Sequence, residues 1–173
     1  QSAFSVNEGA SKVRSYFIGN ELLQNYGKNE NDIVSTYMDG VGLFCHEFSH
    51  ALGLPDFYNT KNSRSFATMG YWDLLDYGQY YQNGYRPVEY TAYERSYMGW
   101  LDVKELGDEA QHATLFPLDG SQGDDQPRAY VLRNPNNNKE YYLLENRVKN
   151  NWHGAMMGSG LFITHVDYDA AVW

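Results

Sequence analysis

The stretch from His46 to Asp56 constrains this chain more than any other. It reads His46-Glu47-Phe48-Ser49-His50-Ala51-Leu52-Gly53-Leu54-Pro55-Asp56. Residues four apart stack on one face of an α-helix, so a helix here carries both imidazoles within reach of one ion. Glu47 lies about a third of a turn away, close enough to touch water on that ion but badly placed as a third ligand. Gly53 permits a sharp reversal directly after the helix, and Asp56 then returns an oxygen to the same place. Two neutral imidazoles and a carboxylate leave a fourth position for water, which is the catalytic rather than the structural zinc arrangement. Zinc lowers the pKa of such water to about 7, where a neighbouring carboxylate can take its proton. The bare pentapeptide HExxH also occurs in ordinary helices with solvated side chains. The continuation to Gly53 and Asp56 is what sets this segment apart.

The surrounding chain is expected to change texture near Val103. Before it, residues 9–27 read as helix or helix plus turn, on an approximate face of Val13, Phe17, Leu22 and Leu23. Residues 33–37 form a short β-prone run. Asp39 is placed to cap a helix that runs to about Leu52, with Phe44, Phe48, Leu52 and Leu54 burying it under a cleft. Residues 59–70 look like an exposed loop. A second helix is expected over roughly 88–99, with Pro87 at its start and Gly99 near its end. After Val103, runs at 128–133 and 140–146 flank Asn134-Pro135-Asn136-Asn137-Asn138, a hairpin signal with a loop of five or six residues. A further strand spans 161–166. The fold class is therefore α+β: a region 1–103 around the His46 helix, then a β-rich extension 104–173 packed on it.

Length and charge exclude several function classes. The 173 residues suit one domain, or one domain with a small appendage, and can bury a core without disulfides. The net charge of −9 argues against nucleic acid or an anionic membrane surface as main partner. No apolar run approaches the 18 or so residues of a spanning helix. Cys45 is the single cysteine, which rules out an intrachain disulfide or an all-cysteine zinc site. The chain starts at Gln1 with no initiator Met and no leader pattern, and it is read as a piece of something longer. Its 16 Tyr, 8 Phe and 4 Trp either fill half-buried faces or make a surface for peptide or sugar.

The run from His46 to Tyr58 (HEFSHALGLPDFY) resembles the immune inhibitor A family of secreted bacterial metalloproteases. The likeness extends through residues 70–78, 90–95 and 99–101, and more loosely through 142–147 and 160–167, covering about 38–168. It implies a zincin-like, metzincin-like fold whose active helix lies under a cleft. It implies a secreted or cell-surface zinc endopeptidase acting on protein or peptide. In that reading His46, His50 and Asp56 bind Zn²⁺, and Glu47 is general base and then acid. Metzincins carry a methionine beneath the metal. Leu75 falls at that place here, Met69 being the alternative, and Tyr77 would then lie near the metal as an oxyanion donor. Metzincin domains also need a strand sheet before the active helix, whereas only 45 residues precede His46.

Other residues carry weaker signals. Glu94 is a rival third ligand from the second helix, its plain role being an ion pair with a nearby Arg. Cys45 cannot pair with His46, since adjacent helical residues point about 100° apart. His165 reads as a satisfied core histidine. The acidic turn 119–125 is a candidate for Ca²⁺, lacks the EF-hand pattern, and reads more simply as a solvated loop. A different class of function stands beside the enzyme: a truncated or degenerate module that binds peptide or glycan through its Tyr-rich surface. A purely structural metal, with no open position, is a third reading.

Overall fold

The computed structural model describes residues 6–8, 11–13, 17–29, 31–60, 68–120, 125–154 and 156–171. The elements, in chain order, begin with two antiparallel hairpins. β1 (Val6–Glu8) pairs with β2 (Ser11–Val13), and β3 (Leu22–Tyr26) pairs with β4 (Ile33–Met38). The helical expectation for 9–27 is thus overturned. Val13, Phe17, Leu22 and Leu23 never keep a steady three-four spacing. The run 22–26 instead finds partners in register, Leu23 opposite Tyr37 and Tyr26 opposite Ile33. Residues 33–37 form a strand as the sequence suggests, extended to Met38.

α1 (Val41–Ala51) carries the His-Glu-Phe-Ser-His run. Its N-cap is Gly40, with no side-chain cap, so Asp39 does not perform that role. The helix approaches a one-turn 3₁₀ segment at Tyr77–Tyr80 so closely that a Cβ on Gly42 would lie 1.8 Å from the Gln79 carbonyl oxygen. That contact turns Gly42, His46 and Ser49 inward. Phe44 and Phe48 lie on the other side and are 57% and 47% exposed, contrary to the buried aromatic face expected from the sequence. Phe48 stacks on Phe44, which meets Phe17 edge to face. Leu54 is buried and Leu52 is half-buried.

α2 is shorter than expected, Ala92–Tyr97. Its start is fixed by a capping box rather than by Pro87. The Thr91 hydroxyl accepts from Tyr93 N, and the Glu94 carboxylate reaches back to Thr91 N at 2.6 Å. The later chain forms a 4-stranded sheet in the order β5 (Lys104–Glu105), β6 (Ala129–Asn134), β7 (Asn137–Arg147), β8 (Gly160–Asp167). β5 runs parallel to β6, and the other pairs are antiparallel. The β6–β7 turn is tighter than predicted, because Asn134 pairs directly with Asn137 and only Pro135 and Asn136 remain between the strands.

The inward face of β7 is mixed. Leu143 joins the apolar core with Ala92, Leu118, Ala129 and Val131, while Glu145 and Arg147 are buried two and four residues further on. Glu145 accepts from Ala92 N and pairs with Arg147. Arg95 donates from Nη1 to the Leu118 carbonyl at 3.2 Å and pairs with Glu89. The sheet is thereby fastened to the start of α2. Described residues contain no helix long and apolar enough to cross a membrane.

The Gly42 contact is a direct test of this packing. Gly42→Ala is expected to lower stability by about 1–3 kcal/mol, the usual cost of overpacking. Urea unfolding would read it, and an unchanged midpoint would mean that the helix does not sit against Gln79.

Candidate metal centre

The reversal after α1 is built from backbone hydrogen bonds. Leu54 N returns to the Ser49 carbonyl at 3.1 Å, and Gly53 N reaches the His50 carbonyl at 3.0 Å. Gly53 itself sits at φ +97°, a conformation that a Cβ disfavours. Pro55 follows, and the chain delivers Asp56 back beneath the helix. Phe57 N then bonds to the Leu75 carbonyl at 3.0 Å, which ties this loop to the turn at 73–76.

These constraints gather three donor atoms. His46 Nε2 lies 3.2 Å from His50 Nε2 and 3.2 Å from Asp56 Oδ1. His50 Nε2 lies 3.3 Å from the same oxygen. A tetrahedral zinc with ligands at roughly 2.0–2.1 Å requires donors about 3.3 Å apart, so the triangle has the right edge. His46, His50 and Asp56 are the only group of this kind among the described residues.

Hydrogen bonding at the other ring nitrogens fixes what the triangle offers. His46 Nδ1 faces the Leu74 carbonyl at 3.0 Å, and His50 Nδ1 faces the Leu54 carbonyl at 2.8 Å. A carbonyl only accepts, so each Nδ1 carries the proton and each neutral ring presents an Nε2 lone pair to the centre. Asp56 Oδ1 is buried and receives no hydrogen bond. Three acceptors with no donor among them repel one another unless a cation lies between. The donor set therefore fits a divalent zinc on its own chemistry.

Glu47 is half-buried on the same helix and is not one of the three donors. Its charge reaches two phenols. Tyr58, whose hydroxyl bonds to Asp56, has its pKa pushed up to about 12, first by burial and then by the Asp56 and Glu47 carboxylates. Tyr80 is pushed up by burial, then by Asp39 and Glu47. The Tyr58 ring is near-parallel to His46 at 6.5 Å. Tyr58 has no assigned role in the sequence motif, and its position two residues past Asp56 is the signal that points to it. Tyr77 opens the 77–80 turn beside Tyr71, with ring centroids 5.9 Å apart. A cavity of about 540 Å³ has Asp56, Phe57, Tyr58, Tyr93, Asp167 and Tyr168 among its lining residues.

The remaining candidates fall elsewhere. Glu94 is fully buried in the capping box of α2, bonded to Thr91, and not paired with an Arg. The Arg95 partner is Glu89. Leu75 is completely buried in the turn whose preceding carbonyl holds His46, while Met69 is half-buried and its N–H bonds to Asp76. His165 has its Nε2 3.0 Å from Glu140 and stacks on Tyr142 at an exposed position, so it is satisfied but not in the core. Cys45 is half-buried, and burial raises its thiol pKa. Most of the turn proposed for calcium lies outside the described residues, 121–124 among them.

Comparison with known proteins adds the following. Residues 5–108 match the family model of the immune inhibitor A peptidase M6 catalytic domain. Two curated relatives, each a pre-pro-metalloprotease PrtV from a strain of Vibrio cholerae serotype O1, are 26% identical over 89 residues. Those matches cover 44% of this chain and 10% of each relative, so the chain corresponds to a small part of their length. No solved structure matches it.

The donor triangle predicts a linkage. Zinc at a hundredfold excess over its Kd is expected to raise the unfolding free energy by about 2.7 kcal/mol. Asp56→Ala is expected to remove most of that increment while the chain without added metal unfolds much as before. Equal stabilisation of both proteins, followed by chemical denaturation, would place the metal elsewhere.

Proposed function

Because the chain belongs to the immune inhibitor A peptidase M6 family, we propose that it is the zinc-binding part of a secreted or cell-surface endopeptidase that hydrolyses peptide bonds of extracellular proteins. The observation that carries this reading is the triangle of His46 Nε2, His50 Nε2 and Asp56 Oδ1, with both imidazole tautomers set by backbone carbonyls. Zinc, when bound there, supplies Lewis acidity to water and to a carbonyl oxygen.

The chain's own groups divide the remaining work. His46, His50 and Asp56 would hold the ion through one donor atom each. Glu47 accepts a proton from the attacking water and hands it to the leaving amine. Tyr77 donates from its phenol to the developing oxyanion, next to Tyr80, which feels both Tyr77 and Glu47. The α+β fold is read as part of a metzincin-like core. α1 forms the cleft floor, β3 and β4 stand before it, and Leu75 takes the place under the metal. Residues 104–173 form a β-rich extension on that core, and the activity belongs to a longer chain.

Glu47→Ala is the decisive variant. Cleavage of an unfolded protein substrate by the zinc-loaded longer protein is expected to fall by roughly the 10²–10⁴-fold typical of a lost general base. Zinc content and circular dichroism should stay unchanged. Cleavage that survives the substitution would remove Glu47 from the mechanism. A parent chain that binds zinc and substrate without cleaving would favour the binding-module reading.

A further inference from the structure

The turn that holds His46 is itself fastened by a pair of buried acids. Asp73 and Glu94 are both fully buried. Asp73 Oδ1 accepts from Leu75 N at 2.6 Å. Glu94 Oε2 accepts from Thr91 N at 2.6 Å and from the Thr91 hydroxyl. This leaves Asp73 Oδ2 and Glu94 Oε1, each buried and each without a donor. The two carboxyl groups are hydrogen-bonding neighbours. Two ionised carboxylates in contact, out of water, would repel strongly. One proton between them converts two unsatisfied acceptors into a single charge-assisted O–H···O bond.

We propose that Asp73 and Glu94 share one buried proton, carried by Asp73, and that the pair thereby acts as a positioning device for His46. Glu94 is the better anion because it already accepts from both Thr91 donors. Burial, followed by the charge of Glu94, drives the Asp73 carboxyl well above the usual carboxylate range. Glu94 is raised as well, by burial, with its bonds to Thr91 and Asp73 opposing that rise. Arg147 on β7 faces Asp73 and favours its ionisation. That guanidinium bonds Glu145 through Nε and pairs with Glu89 at 3.6 Å, while its Nη1 and Nη2 are buried without a hydrogen-bond partner. Tyr90, preceding α2, and Tyr93 on it are further titratable neighbours: the Tyr90 phenol is raised chiefly by burial and in part by both acids, the Tyr93 phenol chiefly by burial and in part by Glu94.

The link to the metal centre runs through the backbone. The Asp73 carbonyl accepts from Gly78 N at 2.9 Å, and its side chain holds Leu75 N, so Asp73 shapes both ends of the turn. Between them the Leu74 carbonyl points at His46 Nδ1. Pinning Asp73 to the start of α2 therefore fixes the acceptor that orients the imidazole. This role rests on the reading of His46 as a ligand, whereas the shared proton does not.

The sign of the pH effect follows from linkage. A folded-state pKa above the unfolded value means that the folded chain keeps a proton which the unfolded chain releases. Stability from this pair is complete on the acid side of the ordinary Asp range and is lost as pH rises through the Asp73 folded pKa.

The test combines infrared spectroscopy, melting and metal competition on the whole chain. At neutral pH the parent should show the carbonyl stretch of a protonated carboxylic acid, and Asp73→Asn should lack it. Asparagine can donate to Glu94 Oε1 and cannot ionise. Asp73→Asn should therefore melt near the parent on the acid side of the ordinary Asp range and lack the parent's decline as pH rises from there. Glu94→Gln should be clearly less stable, because its amide nitrogen opposes the Asp73 proton and its neutral oxygen accepts less strongly from the two Thr91 donors. Asp73→Ala should weaken zinc binding, read by chelator competition, by roughly the 10–100-fold typical of lost outer partners. Asp73→Asn should restore it. Absence of the infrared band in the parent overturns the proposal without any variant, as does equal tolerance of Asp73→Asn and Glu94→Gln. If the parent shows the band but binds no zinc, the metal reading and the positioning role fail while the shared proton stands.

Discussion

The hydrogen bond from His46 Nδ1 to the Leu74 carbonyl joins α1 to the turn at 73–78. Its counterpart, from His50 Nδ1 to the Leu54 carbonyl, joins the same helix to its own reversal. Together they decide which nitrogen of each ring is free, and hence whether three lone pairs can face one point. Helical spacing alone would only bring the rings near each other. The backbone on either side of the helix turns that proximity into a donor set, and Asp56 completes it because Phe57 N is held by the Leu75 carbonyl.

Around this centre the protein relies on buried charge more than on apolar bulk. The inward face of β7 presents Glu145 and Arg147 where a sheet normally presents aliphatic side chains. Glu145 receives Ala92 N, Arg147 reaches Glu89 as well as Glu145, and Glu89 also holds Arg95. Buried ion pairs add little net stability, since desolvation offsets attraction, yet losing one partner costs about 3–5 kcal/mol. Such a network enforces one arrangement of α2 against the sheet. Fixing α2 fixes Glu94, and through Asp73 the turn above His46.

The active segment was legible because its chemistry is local. His46, His50, Gly53, Pro55 and Asp56 lie within eleven consecutive residues, and helical periodicity plus one reversal brings them together. The four-stranded sheet was partly legible for the same reason, since strand runs and turn residues are short-range signals. What escaped was tertiary. Phe44 and Phe48 have the composition of a buried face, but the Gly42–Gln79 contact rotates the helix so that they face solvent. Pro87 suggested a helix start that the Thr91–Glu94 box places later. No residue pattern announces that Leu54 and Leu74 supply carbonyls, because every residue has one. Leu22 and Leu23 read as part of a weak helix because their pairing across to residues 33–38 is invisible in a local window.

The outward rotation of Phe44 and Phe48 has a practical side. These rings lie about 200° around the helix from His46, and the hairpin before them exposes Leu22, Ile33, Val34 and Met38. Solubility and metal chemistry are therefore written on opposite sides of a single helix. Polar residues at 44 and 48 would change how the chain behaves in solution and leave every donor atom in place.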